Sequence, residues 1–206
     1  MESALTGSRG EYWHPSGSPD LRKWGTAVTA EDRGPNRVEP EVGLDPRFGE
    51  DDAEPLPWDE ALGLLERTEL SWLSTVTGAG RPHVTPVLTV VVDGTIRFCT
   101  GAREQKAKNL EGTPHVAVTT GANVLRGGTD LVIEGVARRI VDGGELLRVA
   151  DAFEAKYGPE WRFEVEEESF RGVAGNRAQV FEVVPRVGFG FAKGPYGQTR
   201  WRFPTA

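Results

Sequence analysis

The sequence predicts a mainly β protein, an antiparallel barrel that is closed or nearly closed and carries a few covering helices. Three observations predict it. Strand-like runs outnumber helical ones and follow each other on short links, as antiparallel neighbours do. Asp93-Gly94 sits between two runs rich in Val, Thr, Ile and Phe, a strong local hairpin signal. No strand leads into a GxGxxG fingerprint or a phosphate-binding P-loop, which argues against a doubly wound nucleotide-binding sheet.

The elements follow in order. Residues 1–57 hold 7 Gly and 7 Pro, with 12 acidic against 6 basic residues. That composition cannot bury a core, so 1–56 is expected to be an extended or partly disordered arm. Scattered apolar residues such as Trp13, Trp24, Val28 and Val38 suit either an arm anchored on a partner surface or a poorly ordered tail, and ordered packing is expected around Leu44, Pro46 and Phe48. The rest, 57–206, is expected to form one barrel domain. Pro57, Asp59 and Glu60 suit a helix start, and Ala61, Leu62, Leu64 and Leu65 make its apolar stripe. Strands are expected at 69–76, 83–92 and 95–100. A short helix follows at 103–110, then a strand at 115–120 and a glycine-rich loop to Asp130. A long strand at 131–141 slips its alternation at Gly135, which predicts a bulge or bend. A second amphipathic helix at 144–157 stops at Gly158-Pro159. The acidic run 161–170 reads as a solvated lid or edge. Three short strands close the chain at 179–184, 186–192 and 199–203, with Pro185 as a corner.

Charge and cysteine usage restrict the function. A net charge of −7 argues against a nucleic-acid binder. No apolar run is long enough to predict a membrane span, and the N-terminal segment lacks the apolar core of a secretory signal. One cysteine allows no internal disulfide. A cytoplasmic location is expected.

The histidines at 14, 83 and 115 have no metal-ligand spacing, so no metal site is expected. Cys99 lies inside a strand, where a small buried residue is the plainer reading than a nucleophile. No serine sits in a GxSxG elbow. Two places have anion chemistry. Thr100 and Gly101 lead into Gln105 and Lys106, with Arg81 and His83 on the neighbouring run. Either a phosphate is held there by a helix start and an ammonium, or these are ordinary solvated side chains. At the C-terminus, Arg200, Trp201 and Arg202 alternate. The two arginines share one strand face and Trp201 takes the other, which suits either a ring-stacking strand or a charged edge strand.

These residues resemble the pyridoxamine 5'-phosphate oxidase-like superfamily, the flavin-binding split barrels. The resemblance rests on WLSTVTGAGRPHVTPV at 72–87, DGTIRFCTGAREQKAKNL at 93–110, PHVAVT at 114–119, DLVIEGVARRIVD at 130–142 and TRWRF at 199–203. It implies a mainly β fold, an antiparallel split β-barrel with flanking helices. It also implies a homodimer with a cofactor at the subunit interface. The cofactor implied is FMN or, in the alternative, a deazaflavin coenzyme. Arg81, His83, Val84 and Thr85 would lie along the ring, and Cys99 and Thr100 beside the ribityl-phosphate. Gln105 and Lys106 would hold the phosphate, while Trp201 and Arg202 would reach the pocket. Gln105 stands where the oxidases carry an arginine. The oxidases' full C-terminal substrate-phosphate pattern is missing, so vitamin B6 oxidation is not implied. The activity implied is hydride transfer between the cofactor and a small organic substrate, with no dedicated acid or base; the alternative is a non-catalytic flavin binder, carrier or sensor.

Overall fold

The structure is a computed structural model and describes residues 39–121 and 123–204. Most of the expected N-terminal arm, 1–38, lies outside the described residues.

Strand β1 (Glu41–Gly49) precedes helix α1 (Trp58–Arg67). Asp59 and Glu60 in the first turn and Arg67 in the last complement the helix dipole, while Trp58, Ala61, Leu62 and Leu65 are buried. Next come β2 (Ser71–Val76), β3 (Pro82–Val87), β4 (Thr89–Val92) and β5 (Thr95–Thr100). Asp93 and Gly94 both have positive φ, as a two-residue hairpin requires, and Val92 pairs with Thr95 across them. Helix α2 (Gln105–Gly112), β6 (His115–Thr120) and β7 (Thr129–Ile140) follow. Helix α3 (Gly143–Tyr157) is capped by Asp142, whose carboxylate accepts the Glu145 N–H at 2.8 Å. The chain ends in β8 (Phe163–Glu166), β9 (Ser169–Gly172), β10 (Arg177–Lys193) and β11 (Tyr196–Arg202).

The expected closed or split barrel does not form. One ladder runs β1-β11-β10-β7-β6-β2-β3, and β4–β5 branches from it at β10. The sheet therefore stays open, with β3 hydrogen-bonded on one side only. Two causes are visible in the chain. The run read as one strand at 83–92 is bent at Leu88 into β3 and β4. Consecutive segments of one extended run cannot lie side by side, so the ladder breaks there. Strand β10, in turn, shares one of its edges among three partners. It takes β9 at Arg177–Ala178, β5 at Gln179–Val183 and β11 at Val187–Lys193.

Strand β10 is also one continuous 17-residue strand rather than two short ones. Pro185, which has no N–H, falls where the partner changes from β5 to β11. Against β7, the register shifts between Pro185 and Val187, opposite Gly135 and Glu134. The irregularity expected at Gly135 is thus carried by β10. A side chain at Gly135 would run into the Val184 carbonyl.

Two apolar clusters fill the interior. One packs α1 against Leu73, Val116, Val118, Leu131, Ile133 and Trp201. The other packs α3 against Val90, Ile140, Phe170 and Val180. The acidic run read as a solvated lid or edge is the β8–β9 hairpin, with β8 at an edge. Phe163 and Phe170 stack at 4.8 Å and meet Phe153 edge-on, so this run closes the second cluster.

The opposite face of the sheet stays partly open. One register row joins Pro86, Trp72, Thr119, Val132, Phe189 and Arg200 across six strands. Trp72 on this face is 46% exposed and Val84 is 53% exposed.

Candidate functional site

Helix α2 packs against β2, and its polar face makes a chain of hydrogen bonds toward β3. Gln105 Nε2 donates to Asn109 Oδ1 at 2.8 Å, one helical turn on. Asn109 Nδ2 donates to Thr75 Oγ1 at 2.9 Å in the interior. The Thr75 hydroxyl lies 3.3 Å from the His83 carbonyl and 3.4 Å from its Nδ1. Two candidate residues far apart in sequence, Gln105 and His83, are joined by two that the sequence reading passed over. Asn109 had a usable signal, its i, i+4 spacing from Gln105. Thr75 had only its place on the inward side of β2.

Strand β3 alternates. His83 and Thr85 are half-buried, whereas Val84 is exposed beside Trp72 and Pro86. Arg81 is exposed and closes the β2–β3 turn: its N–H donates to Thr77 Oγ1 at 3.1 Å and its carbonyl accepts the Thr77 N–H at 2.9 Å. The hydroxyl of Thr85 is buried without a hydrogen-bond partner among the described residues, whereas that of Thr100 bonds the Glu104 carboxylate. A buried hydroxyl like that of Thr85 normally finds a partner, and both threonines belong to the candidate site.

At the end of β5 the chain turns at Gly101 into α2. Glu104 Oε1 accepts the Gly101 N–H at 2.8 Å, and its other oxygen pairs with the Lys106 ammonium. Burial alone would raise the Glu104 carboxyl. The Lys106 contact and the Gly101 N–H outweigh it and hold the carboxyl below its usual range. Lys106 is therefore not a free surface lysine: its side chain is 11% exposed and already holds an anion.

Cys99 is partly buried and packs against the α3 cluster. Burial, with a lesser contribution from Glu104, pushes its thiol up to about 12. Its rate of reaction with a neutral disulfide reagent at pH 8 is expected to be at least about tenfold below that of the urea-unfolded chain, because the thiolate is the nucleophile. A thiol reacting as fast in the folded protein would overturn this placement.

The C-terminal pair separates. Arg200 and Arg202 are exposed on one face of β11, and Trp201 is fully buried on the other. The indole N–H of Trp201 donates to the Leu56 carbonyl at 3.0 Å, and its ring meets Trp58 at 5.4 Å. Nor is β11 an edge strand, since β1 pairs along it with Glu41 opposite Arg202. The structure therefore joins Gln105 to His83, places Lys106 on Glu104 at the start of α2, and seats Trp201 in the core instead. The described residues include no cluster of three or more His, Cys, Asp or Glu side chains able to hold a metal, and no helix long and apolar enough to cross a membrane.

An open antiparallel sheet with a helix start set beside one strand end defines a fold class generally associated with cofactor binding. The chain belongs to the pyridoxamine 5'-phosphate oxidase family, whose sequence model matches residues 57–186. No curated protein matches it in sequence. Solved structures share the fold. A heme binding protein from Mycobacterium smegmatis is 16% identical with a TM-score of 0.57, over 71% of this chain and 58% of that one. The chain thus spans little more than half of that protein's length. A conserved hypothetical protein from Mycobacterium tuberculosis is 23% identical with a TM-score of 0.57, over 70% and 89%. The heme storage protein HutZ from Vibrio cholerae is 20% identical with a TM-score of 0.51, over 66% and 94%.

Proposed function

We propose that this chain is a flavin-binding protein that holds FMN or a deazaflavin coenzyme as a carrier or sensor. The ring would lie along β3 at Arg81, His83, Val84 and Thr85, and the ribityl-phosphate beside Cys99, Thr100, Gln105 and Lys106. The observation that carries this reading is the buried, unpartnered hydroxyl of Thr85 on β3. Two residues earlier on the same strand ends the hydrogen-bonded chain from Gln105 to His83, and at the start of α2 an anion is already held by Lys106, the Gly101 N–H and the Thr100 hydroxyl. These donors suit a polar chain ending in an anion. When bound, the ring would supply the electron-transfer chemistry. The protein's part is to position it.

Membership of a family that holds oxidases is compatible with turnover, and two structural neighbours are named for binding or storing heme rather than for a reaction. Cofactor binding is common to both, and the heme proteins favour binding without turnover. The open apolar face around Trp72, Val84 and Phe189 supports a homodimer, because a second copy would cover it.

The test is a titration of the purified chain with FMN, a deazaflavin coenzyme and hemin, followed by ring absorbance and binding heat. Molecular mass is measured by light scattering in the same samples. The expected result is saturable flavin binding by a dimer, with no turnover of quinones or enones by the reduced complex. Turnover would replace the carrier reading by an oxidoreductase. Binding of hemin alone would overturn the flavin assignment.

A further inference from the structure

The phosphate end of the proposed site is already occupied by the protein itself. Glu104 stands immediately before α2 and takes both groups that a ligand's terminal anion would need, the Gly101 N–H at 2.8 Å and the Lys106 ammonium. Gln105, the other candidate phosphate contact, spends its amide on Asn109. The first turn of α2 contains no acidic residue and receives no side-chain cap, so Glu104 is the negative group nearest its positive end.

Resting on the flavin reading above, we infer that Glu104 is a specificity-determining residue, an internal anion that competes with the terminal phosphate of the cofactor for Lys106 and the Gly101 N–H. A carboxylate and a phosphate cannot share one ammonium without like-charge repulsion. FMN must therefore displace Glu104, whereas a flavin ending in a neutral ribityl chain leaves it in place. The Glu104 side chain is half-exposed, so it can be released to water at the surface. The consequence is weak, exchangeable retention of phosphate-terminated cofactors, which is what a carrier needs.

The experiment compares FMN with riboflavin, which has the same ring and no phosphate. Fluorescence titrations are run on the full chain, on Glu104→Gln and on Lys106→Met. Glutamine keeps the size of the side chain and an oxygen for the Gly101 N–H but removes the charge. Glu104→Gln is expected to tighten FMN by about tenfold or more, the scale of a released charge-assisted contact, and to leave riboflavin within about twofold. In Lys106→Met, where Glu104 stays charged and no ammonium offsets it, FMN is expected to bind no more tightly than riboflavin. If Glu104→Gln shifts FMN and riboflavin by the same factor, or weakens FMN, the competition is wrong although the flavin site stands. If neither flavin binds the full chain or Glu104→Gln, the flavin reading falls and this inference falls with it.

Discussion

Arg97→Ala is expected to destabilise the fold by about 3–5 kcal/mol, the range for breaking a buried ion pair from one side. Arg97 is 3% exposed and lies opposite Glu182, itself 4% exposed, in the β5–β10 ladder. Its guanidinium meets Glu182 at 2.7 Å and Glu145, in the first turn of α3, at 2.9 Å, and also bonds Thr95. One side chain therefore ties α3 to the sheet. In the alanine variant Glu182 keeps only Arg138, a side chain mostly in water, while Glu145 is free to turn to solvent. Arg97→Lys is expected to recover little, because one compact ammonium cannot reproduce the forked geometry toward two carboxylates. The double variant Arg97→Met with Glu182→Leu is expected to recover most of the loss, since it removes both buried charges together. Urea unfolding followed by fluorescence measures all three. An alanine variant within about 1 kcal/mol of the parent would show that the network contributes only at the surface scale.

Arg97 also shows where a local reading of the sequence stops. An arginine between Ile96 and Phe98 alternates as a solvent-facing residue should, and only the packing of α3 over that side of β5 makes it internal. The same limit applied to the barrel. Each run around Asp93-Gly94, at 115–120 and near Gly135 was legible, because turn chemistry and period-2 patterning are local properties. Closure depends on which edges of β10 are shared, and no local pattern carries that. The run 161–170, expected as a solvated lid or edge, is an edge hairpin; its glutamates hid the alternation of Phe163 and Val165, while the ring that anchors it, Phe170, comes after the turn. Within the candidate site, Gln105, Lys106 and His83 could be named from the resemblance. The link of Gln105 to His83 through Asn109 and Thr75, and the carboxylate of Glu104 on Lys106, needed coordinates, because each depends on a contact between elements or across a turn.

Trp201→Ala carries the second large effect, an expected loss of about 3–5 kcal/mol for emptying a fully buried indole site. It also decides between two roles for one residue. The family resemblance directs Trp201 to the cofactor; the structure seats it in the core. Its ring lies over a floor made by two glycines of β10. A methyl group at Gly188 would come within 2.9 Å of the ring, and one at Gly190 within 2.7 Å. The spacing of these glycines in VGFGF, two residues apart, puts both on the inward face of the strand. The N–H of the indole satisfies the Leu56 carbonyl just before α1, so the residue also fixes where the arm enters the first helix. Trp201→Phe is the decisive variant, because it keeps an aromatic ring in the core and loses only that hydrogen bond. A core role predicts a loss of about 1–3 kcal/mol from the unpaired carbonyl and the smaller ring, with FMN affinity within about twofold of the parent. A site role predicts the reverse, a nearly unchanged unfolding midpoint with affinity down about tenfold or more from lost ring stacking. The two outcomes put the loss in different measurements, so a general loosening of the fold cannot imitate the second.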